Sequence, residues 1–347
     1  MFMHNEQTRR DFLKTTAAGL AAGSVIGMAG TASGRNLGTG YMGLERRRLG
    51  KTGMDVTVLG FGGAEVGYGQ TAQERVDQLL NSALDQGLDA VDTAECYRDS
   101  EVLVGNAIGH RRDDYYLFTK VGHWAPDGVD GWSAEGVTAS IDRSLGRLKT
   151  DYVDLVHLHS CNIDILKKGE VIEALEKARD AGKTRFIGYS GDSHAARYAI
   201  ETKKFDTLMT SISVFDQEAI DLTLPLCREL DMGVIVKRGI GNAVWRYDEL
   251  PSSGYHHEYW HRMRKLEYDF MGKDNLDNEG PDGPAGTALR FVLAMDGVHT
   301  NIVGTTNPAR FAQNAELLSA GPLEPEKVEA IRKRWKEVAE EGWVGQI

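Results

Sequence analysis

Four ionisable side chains stand at or just beyond the ends of short apolar runs. They are Asp92 in Val91-Asp92-Thr93-Ala94, Tyr97 five residues later, Lys120 in Phe118-Thr119-Lys120, and His159 in Val156-His157-Leu158-His159. Singly, each has a plain structural use, since aspartates cap helices, strand-end lysines are solvated and loop tyrosines pack. Brought together, they form a proton-transfer set. A free phenol has a pKa of about 10. A nearby ammonium favours phenolate and lowers that value, and a buried aspartate keeps the ammonium charged and oriented. A histidine opposite can hydrogen-bond a substrate oxygen and fix its position. Such a set moves a proton to or from a carbonyl or alcohol oxygen while another agent supplies hydride. His157 lies on the same strand face as His159, one layer deeper, and reads as a hydrogen-bonded core histidine.

Two further motifs invite chemistry. Leu59-Gly60-Phe61-Gly62-Gly63-Ala64-Glu65 begins like the dinucleotide fingerprint G-x-G-x-x-G but ends on Glu65. An acid there obstructs helix packing and repels a pyrophosphate, so the motif fails. His257-Glu258-Tyr259-Trp260-His261 matches HExxH, in which two histidines bind zinc and the glutamate activates water. No third ligand follows at a fitting distance, and Glu267 or His299 would have to be recruited by folding. No metal is therefore expected, and a zinc hydrolase using His257 and His261 stays as an alternative. The plainer reading has Tyr255, Tyr259 and Trp260 walling a substrate pocket.

The elements that must position the four residues alternate. Apolar or β-branched runs at 56–59, 90–93, 115–121, 153–159, 184–190, 208–213, 234–237 and 301–305 read as strands. Helical stripes lie between them. Thr71 and Glu74 form a capping box ahead of Val76, Leu79, Leu80, Ala83 and Leu84. Val137, Ile141, Leu145 and Leu148 make a second stripe, and Val171, Leu175 and Ala178, closed by Gly182, a third. Near-continuous apolar strands separated by helices imply a parallel sheet covered on both faces. Eight β/α units in one unbroken series predict a (β/α)8 TIM barrel, whose active-site groups come from the C-terminal strand ends. Strands two, three and four then place Asp92, Lys120 and His159 at adjacent positions. The longest irregular stretch, 239–284, reads as a substrate-facing loop.

Composition excludes several alternatives. With 41% hydrophobic and 26% charged residues, the 347-residue chain is of globular type. A net charge of −11 argues against nucleic acid as a partner. Three scattered cysteines, Cys96, Cys161 and Cys227, cannot build a disulfide framework. Residues 1–32 differ from the rest. Arg9-Arg10 and Phe12-Leu13-Lys14 precede a run of small and apolar residues that ends on Gly30-Thr31-Ala32, the three-part pattern of an export signal. The arginine pair resembles the twin-arginine motif, whose pathway carries folded proteins. The run is too weakly apolar to serve as a stable membrane anchor. Residues 33–43 read as a linker, and 44–347 as the barrel. Losing Arg9, Arg10 and Lys14 with Glu6 and Asp11 shifts the net charge to −12. The expected location is periplasmic or otherwise extracytoplasmic. No soluble nicotinamide pool is evident there, so a cofactor is expected to be loaded before transport and retained.

The residues from Gly87 through Asp92-Thr93-Ala94-Glu95-Cys96-Tyr97 to Ser100-Glu101 and Gly105 resemble the first signature of the aldo-keto reductases. Phe118-Thr119-Lys120 is similar to that family's lysine strand, and Asp151-Tyr152-Val153-Asp154-Leu155 through His159 to its histidine segment. The resemblance runs from about residue 46 to residue 314. It implies NADP(H) or NAD(H) bound on a (β/α)8 barrel without a Rossmann fold. It also implies a catalytic tetrad of Asp92, Tyr97, Lys120 and His159, with hydride passing between nicotinamide C4 and a small aldehyde, ketone or sugar carbonyl. Cofactor contacts are implied at Gly63, Asp92, Ser190, Lys237, Arg238, Gly304, Thr305, Thr306, Arg310, Gln313 and Asn314. Arg310 could meet a 2′-phosphate bidentately, which favours NADP, and Asn314 could bind adenine. The chain departs from the family pattern at four points. Lys237-Arg238 takes the place of a frequent aromatic stacking residue and could bring positive charge to the cofactor pyrophosphate. A frequent lysine is replaced by Gly304, and Ser-Asn after the fifth strand becomes Ser190-Gly191. Met209 stands where many members have glutamine. A barrel that binds cofactor as a redox sensor for a partner protein, without turnover, is the other alternative. Oligomeric state is not legible in the sequence.

Overall fold

The inward-facing residues of the strands are what make this barrel close. The computed structural model describes residues 43–346, so the expected export signal, 1–32, and nearly all of the expected linker, 33–43, lie outside the described residues. Eight parallel strands close on themselves: β3 (Leu59–Gly62), β4 (Ala90–Asp92), β5 (Tyr116–Val121), β6 (Val153–His159), β7 (Thr184–Ser190), β8 (Thr207–Ser211), β9 (Gly233–Lys237) and β10 (Thr300–Gly304), with β10 pairing back onto β3. This is the (β/α)8 barrel. Side chains alternate along each strand, so residues of one parity point inward. Ala90, Tyr116, Phe118, Leu155, Met209, Ile235 and Ile302 pack there as an apolar lower layer. Two residues further along the same faces stand Asp92, Lys120, Ser211, Lys237 and Gly304. His157 and Ser190 follow by the same parity, with His159 one step beyond His157. The apolar layer therefore gives way to a polar one at the C-terminal strand ends.

A short antiparallel hairpin, β1 (Arg46–Arg48) with β2 (Asp55–Thr57), plugs the opposite end. Its Leu49, Met54 and Val56 complete the inner apolar layer. This corrects the first predicted strand. The run at 56–59 straddles β2 and the start of β3, and the barrel strand proper is Leu-Gly-Phe-Gly, without a β-branched residue to announce it.

The helices bury the predicted stripes against the outside of the sheet. α1 (Ala64–Tyr68) precedes α2 (Gln73–Asp85), which buries Val76, Leu79, Leu80, Ala83 and Leu84. The capping box does not form: Ala72 is the N-cap, with no side-chain cap bond, and Thr71 spends its N–H on the Val66 carbonyl. α3 (Ser100–Ile108) and α4 (Ala134–Leu148) follow, the latter capped by Ser133 and burying Val137, Ile141 and Leu148, with Leu145 only partly buried. Then come α5 (Ile163–Lys168) and α6 (Glu170–Asp180), with Val171, Leu175 and Ala178 buried and Gly182 beyond its end at φ +76°. α7 (Ser193–Glu201), α8 (Glu218–Leu222) and α9 (Leu224–Glu229) continue the series.

The stretch 239–284 is less irregular than its sequence suggests. It holds 3₁₀ turns and α10 (His257–Leu266), whose Tyr259, Arg262 and Leu266 are buried. α11 (Pro284–Leu293), α12 (Arg310–Ser319) and α13 (Pro325–Val338) complete the order. Among the described residues, no helix is long and apolar enough to cross a membrane.

Candidate active site

Adjacent strands bring the predicted tetrad together. Lys120 at the end of β5 donates from Nζ to Asp92 Oδ2 at 2.5 Å and to the Thr93 carbonyl at 2.8 Å. Both side chains of the pair are almost wholly buried. The same ammonium lies 4.8 Å from the centre of the Tyr97 ring. Tyr97 meets the edge of His159, with ring centroids 5.6 Å apart. His157 sits one layer below, fully buried, with Nε2 3.1 Å from Thr207 Oγ1, as a core histidine should be.

Burial sets the electrostatics. It lifts the Asp92 carboxyl to about 6, even against the pull of Lys120, so Asp92 remains ionised at neutral pH. Burial also opposes the charge on Lys120, but Asp92 and Tyr97 outweigh it and hold that pKa above the ordinary lysine value. Tyr97 departs from expectation. Lys120 does act to lower its pKa, but desolvation wins and raises it to about 12. The phenol is therefore firmly protonated before any charged partner arrives. Burial, followed by Lys120, pushes the His159 imidazole well below its usual range, which leaves it neutral. Its Nδ1 lies 3.4 Å from Cys96 Sγ, a thiol that burial lifts to about 12. A neutral imidazole, a protonated phenol and a fixed ammonium can polarise a carbonyl oxygen and deliver a proton to it.

Several residues that frame this cluster escaped the sequence reading: Tyr68, Glu95, His123, Trp124, Trp132 and Asp192. Glu95 Oε1 accepts the backbone N–H groups of His123 at 2.8 Å and Trp124 at 3.2 Å, pinning the loop after β5. His123 packs edge-on against His159 and Trp132, with centroids 5.0 and 5.3 Å away. Tyr68 lies 5.8 Å from the Tyr97 ring. The signals were close at hand, since Glu95 shares a segment with Asp92 and Tyr97, and Gly122-His123-Trp124 follows directly on the strand of Lys120.

The predicted cofactor residues are distributed around the same rim. Gly63 precedes α1, donating its N–H to the Asp92 carbonyl while its own carbonyl accepts from Ser100 Oγ. Ser190 ends β7 beside Met209, and its buried Oγ has no protein partner; nor has Asp92 Oδ1. Buried polar oxygens left open cost about 1–3 kcal/mol each unless something binds them. Their position at the strand ends suits a carboxamide and an adjoining polar group, so the residues present fit a nicotinamide dinucleotide. Lys237 at the end of β9 donates to Asp192 Oδ2 at 2.6 Å, and burial lowers its pKa to about 8. Asp192 stays charged: burial opposes this, but Lys237, the Ser211 N–H and the Thr210 hydroxyl together hold its pKa below the usual value. Arg238 follows Lys237 and donates to the Tyr255 hydroxyl at 3.0 Å.

Gly304 ends β10, where a Cβ would come within 2.7 Å of Glu65 Cγ. The exposed Glu65 side chain thus lies against the position where the family often has lysine. Thr305, Arg310 and Asn314 line one narrow cleft, with Asn314 buried and Gln313 exposed. Arg75 of α2 donates to the Thr306 carbonyl, adding a second guanidinium beside this turn.

The HExxH residues do not converge. His257 Nε2 is 2.8 Å from the Pro251 carbonyl, Glu258 and His261 are exposed, and Glu267 is exposed at the end of α10. His299 lies ahead of β10 at the other end of the barrel, where its Nδ1 accepts the Val234 N–H. Among the described residues, no three His, Cys, Asp or Glu side chains form a metal-binding group.

The profile of the Aldo/keto reductase family matches residues 58–336. The chain belongs to that family. It is therefore an NAD(P)H-dependent oxidoreductase that interconverts a carbonyl compound and its alcohol. It is 35% identical over 207 residues to L-galactose dehydrogenase of Arabidopsis thaliana, a match spanning 55% of this chain and 64% of that one. It is 27% identical over 322 residues to D-threo-aldose 1-dehydrogenase of a Pseudomonas species, spanning 83% and 94%. The holo form of an aldo-keto reductase from Bacillus halodurans superposes with a TM-score of 0.71 at 28% identity, covering 86% of this chain and 99% of that one.

Proposed function

We propose that this aldo-keto reductase prefers NADP(H) and acts on small carbonyl compounds, with aldoses foremost. Asp92, Lys120, Tyr97 and His159 are its catalytic groups. The observation that carries this reading is the buried Lys120 ammonium, held by Asp92 beneath the Tyr97 ring with His159 alongside. A bound nicotinamide cofactor supplies hydride to the carbonyl carbon, or accepts it in the reverse direction. His159 holds the substrate oxygen by hydrogen bonding, and the Tyr97 hydroxyl gives that oxygen its proton. Lys120 stabilises the phenolate so formed until solvent reprotonates it. Support for aldoses comes from the two sugar dehydrogenases among the relatives and from the ring-lined mouth of Tyr68, His123 and Trp132, flat apolar faces edged by polar atoms. Support for NADP comes from Arg310 and Arg75 beside the turn at Thr306.

We further propose that residues 1–32 are a twin-arginine-type signal. It would take the barrel, residues 44–347, through the twin-arginine export machinery to the periplasm or another extracytoplasmic space. The deciding experiment follows NADPH oxidation and NADP⁺ reduction by the protein across aldehydes, ketones and aldoses, beside the Tyr97→Phe variant. Turnover in the native protein should fall by about 10²–10⁴-fold in Tyr97→Phe, while NADPH affinity is unchanged. Equal turnover by both proteins would remove Tyr97 from the reaction.

A further inference from the structure

The segment beyond α13 folds back over the cationic end of β9. Trp343 is buried to 7% exposure, and the Arg262 guanidinium lies 5.3 Å from its ring centre. Arg262, itself buried, donates from Nη2 to the Val344 carbonyl at 2.9 Å. Gly345 packs directly on Asp192: a Cβ at 345 would stand 2.2 Å from Asp192 Cγ. The Gln346 carbonyl then accepts from two cations at once, Lys237 Nζ at 3.0 Å and Arg238 Nη1. Arg238 holds that geometry from a left-handed backbone, with φ +59°.

Among the described residues, Lys237, Arg238 and Arg262 face Asp192 and Asp216 as buried acids, with the half-buried Glu218 beside Arg262. The carbonyl of Gln346 satisfies donors but brings no net negative charge. Lys237 and Arg238 are the residues assigned above to the cofactor, and its dianionic diphosphate would make charge-assisted bonds to them, roughly twice as strong as neutral ones. Both occupants need the same two donors.

We propose that residues 343–346 form a strap that competes with the cofactor's diphosphate for Lys237 and Arg238, so that cofactor enters only as the strap lifts. The strap satisfies the cations that the diphosphate would otherwise meet, Trp343 is its anchor, and Gly345 is the point where it fits against Asp192. The inference rests on the NADP(H) reading given under Proposed function together with the cofactor contacts that the family resemblance implies for Lys237 and Arg238.

Two full-length variants test it. Trp343→Ala removes the anchor, and Gly345→Ala forces the strap off Asp192 without deleting any contact group. Dissociation constants are measured by calorimetry for NADPH and for adenosine 2′-monophosphate, which carries no diphosphate, alongside thermal melting of each protein. Each variant should bind NADPH about tenfold more tightly, while adenosine 2′-monophosphate changes less than about twofold. Unchanged or weaker NADPH binding in a variant that melts normally overturns the strap. Equal tightening for both ligands also overturns it, because the effect would not involve the diphosphate. Failure of every protein, native included, to bind NADPH would overturn the cofactor reading itself, and the strap proposal with it. If Trp343→Ala melts early, Gly345→Ala alone decides.

Discussion

Tyr97 is a phenol that keeps its proton. Burial raises it to about 12 although Lys120 pulls the other way, and the two directions of the reaction should feel this differently. Reduction needs the protonated phenol, which persists throughout the neutral and mildly alkaline range. Oxidation needs phenolate, whose fraction rises tenfold per pH unit below the pKa. The other three tetrad residues do not titrate in that window, whereas Lys237, in the cofactor seat, does, at about 8. His159 is already neutral, Lys120 is held charged above the ordinary lysine range, and Asp92 takes its proton only below about 6. We therefore expect reductive kcat/KM to be flat from about pH 7 to about pH 10 and to fall below about 6, where Lys120 loses its counter-charge. Oxidative kcat/KM should climb across the same alkaline span. Initial-rate profiles at saturating cofactor, where titration of Lys237 does not limit binding, check this in both directions, and a reductive rate that drops steeply between about pH 7 and about pH 8 would assign the proton to another group. Asp92, Lys120 and His159 were legible in the sequence because they stand at strand ends, and Tyr97 because it follows Asp92 in the loop just beyond. The sign of the Tyr97 shift was not, since it depends on how completely the fold removes water from the phenol.

At the scale of elements, what could be read was whatever repeats. Strands rich in β-branched residues and helices with apolar stripes are legible, and the strand ends mark the polar groups, which the fold sets above an apolar layer. β3 was misplaced by its glycines and lack of branched residues, and the capping box because Ala72 rather than Thr71 adopts the extended cap conformation. The loop after β5 is not legible because nothing periodic marks it; the Glu95 carboxylate pins its start, and Asp130 its later turn. Glu95 accepts two backbone N–H groups there, so Glu95→Ala leaves both unpaired and should cost about 1–3 kcal/mol in chemical denaturation. The larger consequence is functional. Freeing His123 and Trp124 loosens the wall of the substrate pocket, so KM for the carbonyl substrate should rise more than kcat falls. Glu95→Gln, which keeps an acceptor oxygen, should recover most of both. Equal losses in Glu95→Ala and Glu95→Gln would mean that the carboxylate charge, rather than the pinned loop, matters. The strap at 343–346 is the least legible piece of all, since its four residues have no pattern and gain meaning only from Arg262, Asp192 and Lys237 folding beneath them.

For the whole molecule, closure of the barrel and the proposed export route constrain each other. The last strand, β10, must pair with the first, β3, near the opposite end of the chain before the ring exists. Contacts so far apart in sequence form late, and a chain threaded out during synthesis would cross with open strand edges. A route that carries finished proteins avoids this, and it also lets the cofactor seat be filled in the cytoplasm, where nicotinamides are made. The three cysteines are all free, which is compatible with folding in a reducing compartment. We predict that Arg9→Lys with Arg10→Lys retains the protein in the cytoplasm, folded and with its NADPH-dependent turnover intact, as cell fractionation and assay of each fraction would show. The native protein should be found outside the cytoplasm, with nicotinamide recoverable from it by extraction after extensive dialysis. An unchanged distribution of the double variant would dispose of the twin-arginine assignment. Exported protein free of nicotinamide would keep the route but reverse the order of events: the strap would have settled on Lys237 and Arg238 in an empty barrel, and the cofactor would have to displace Gln346 after the crossing.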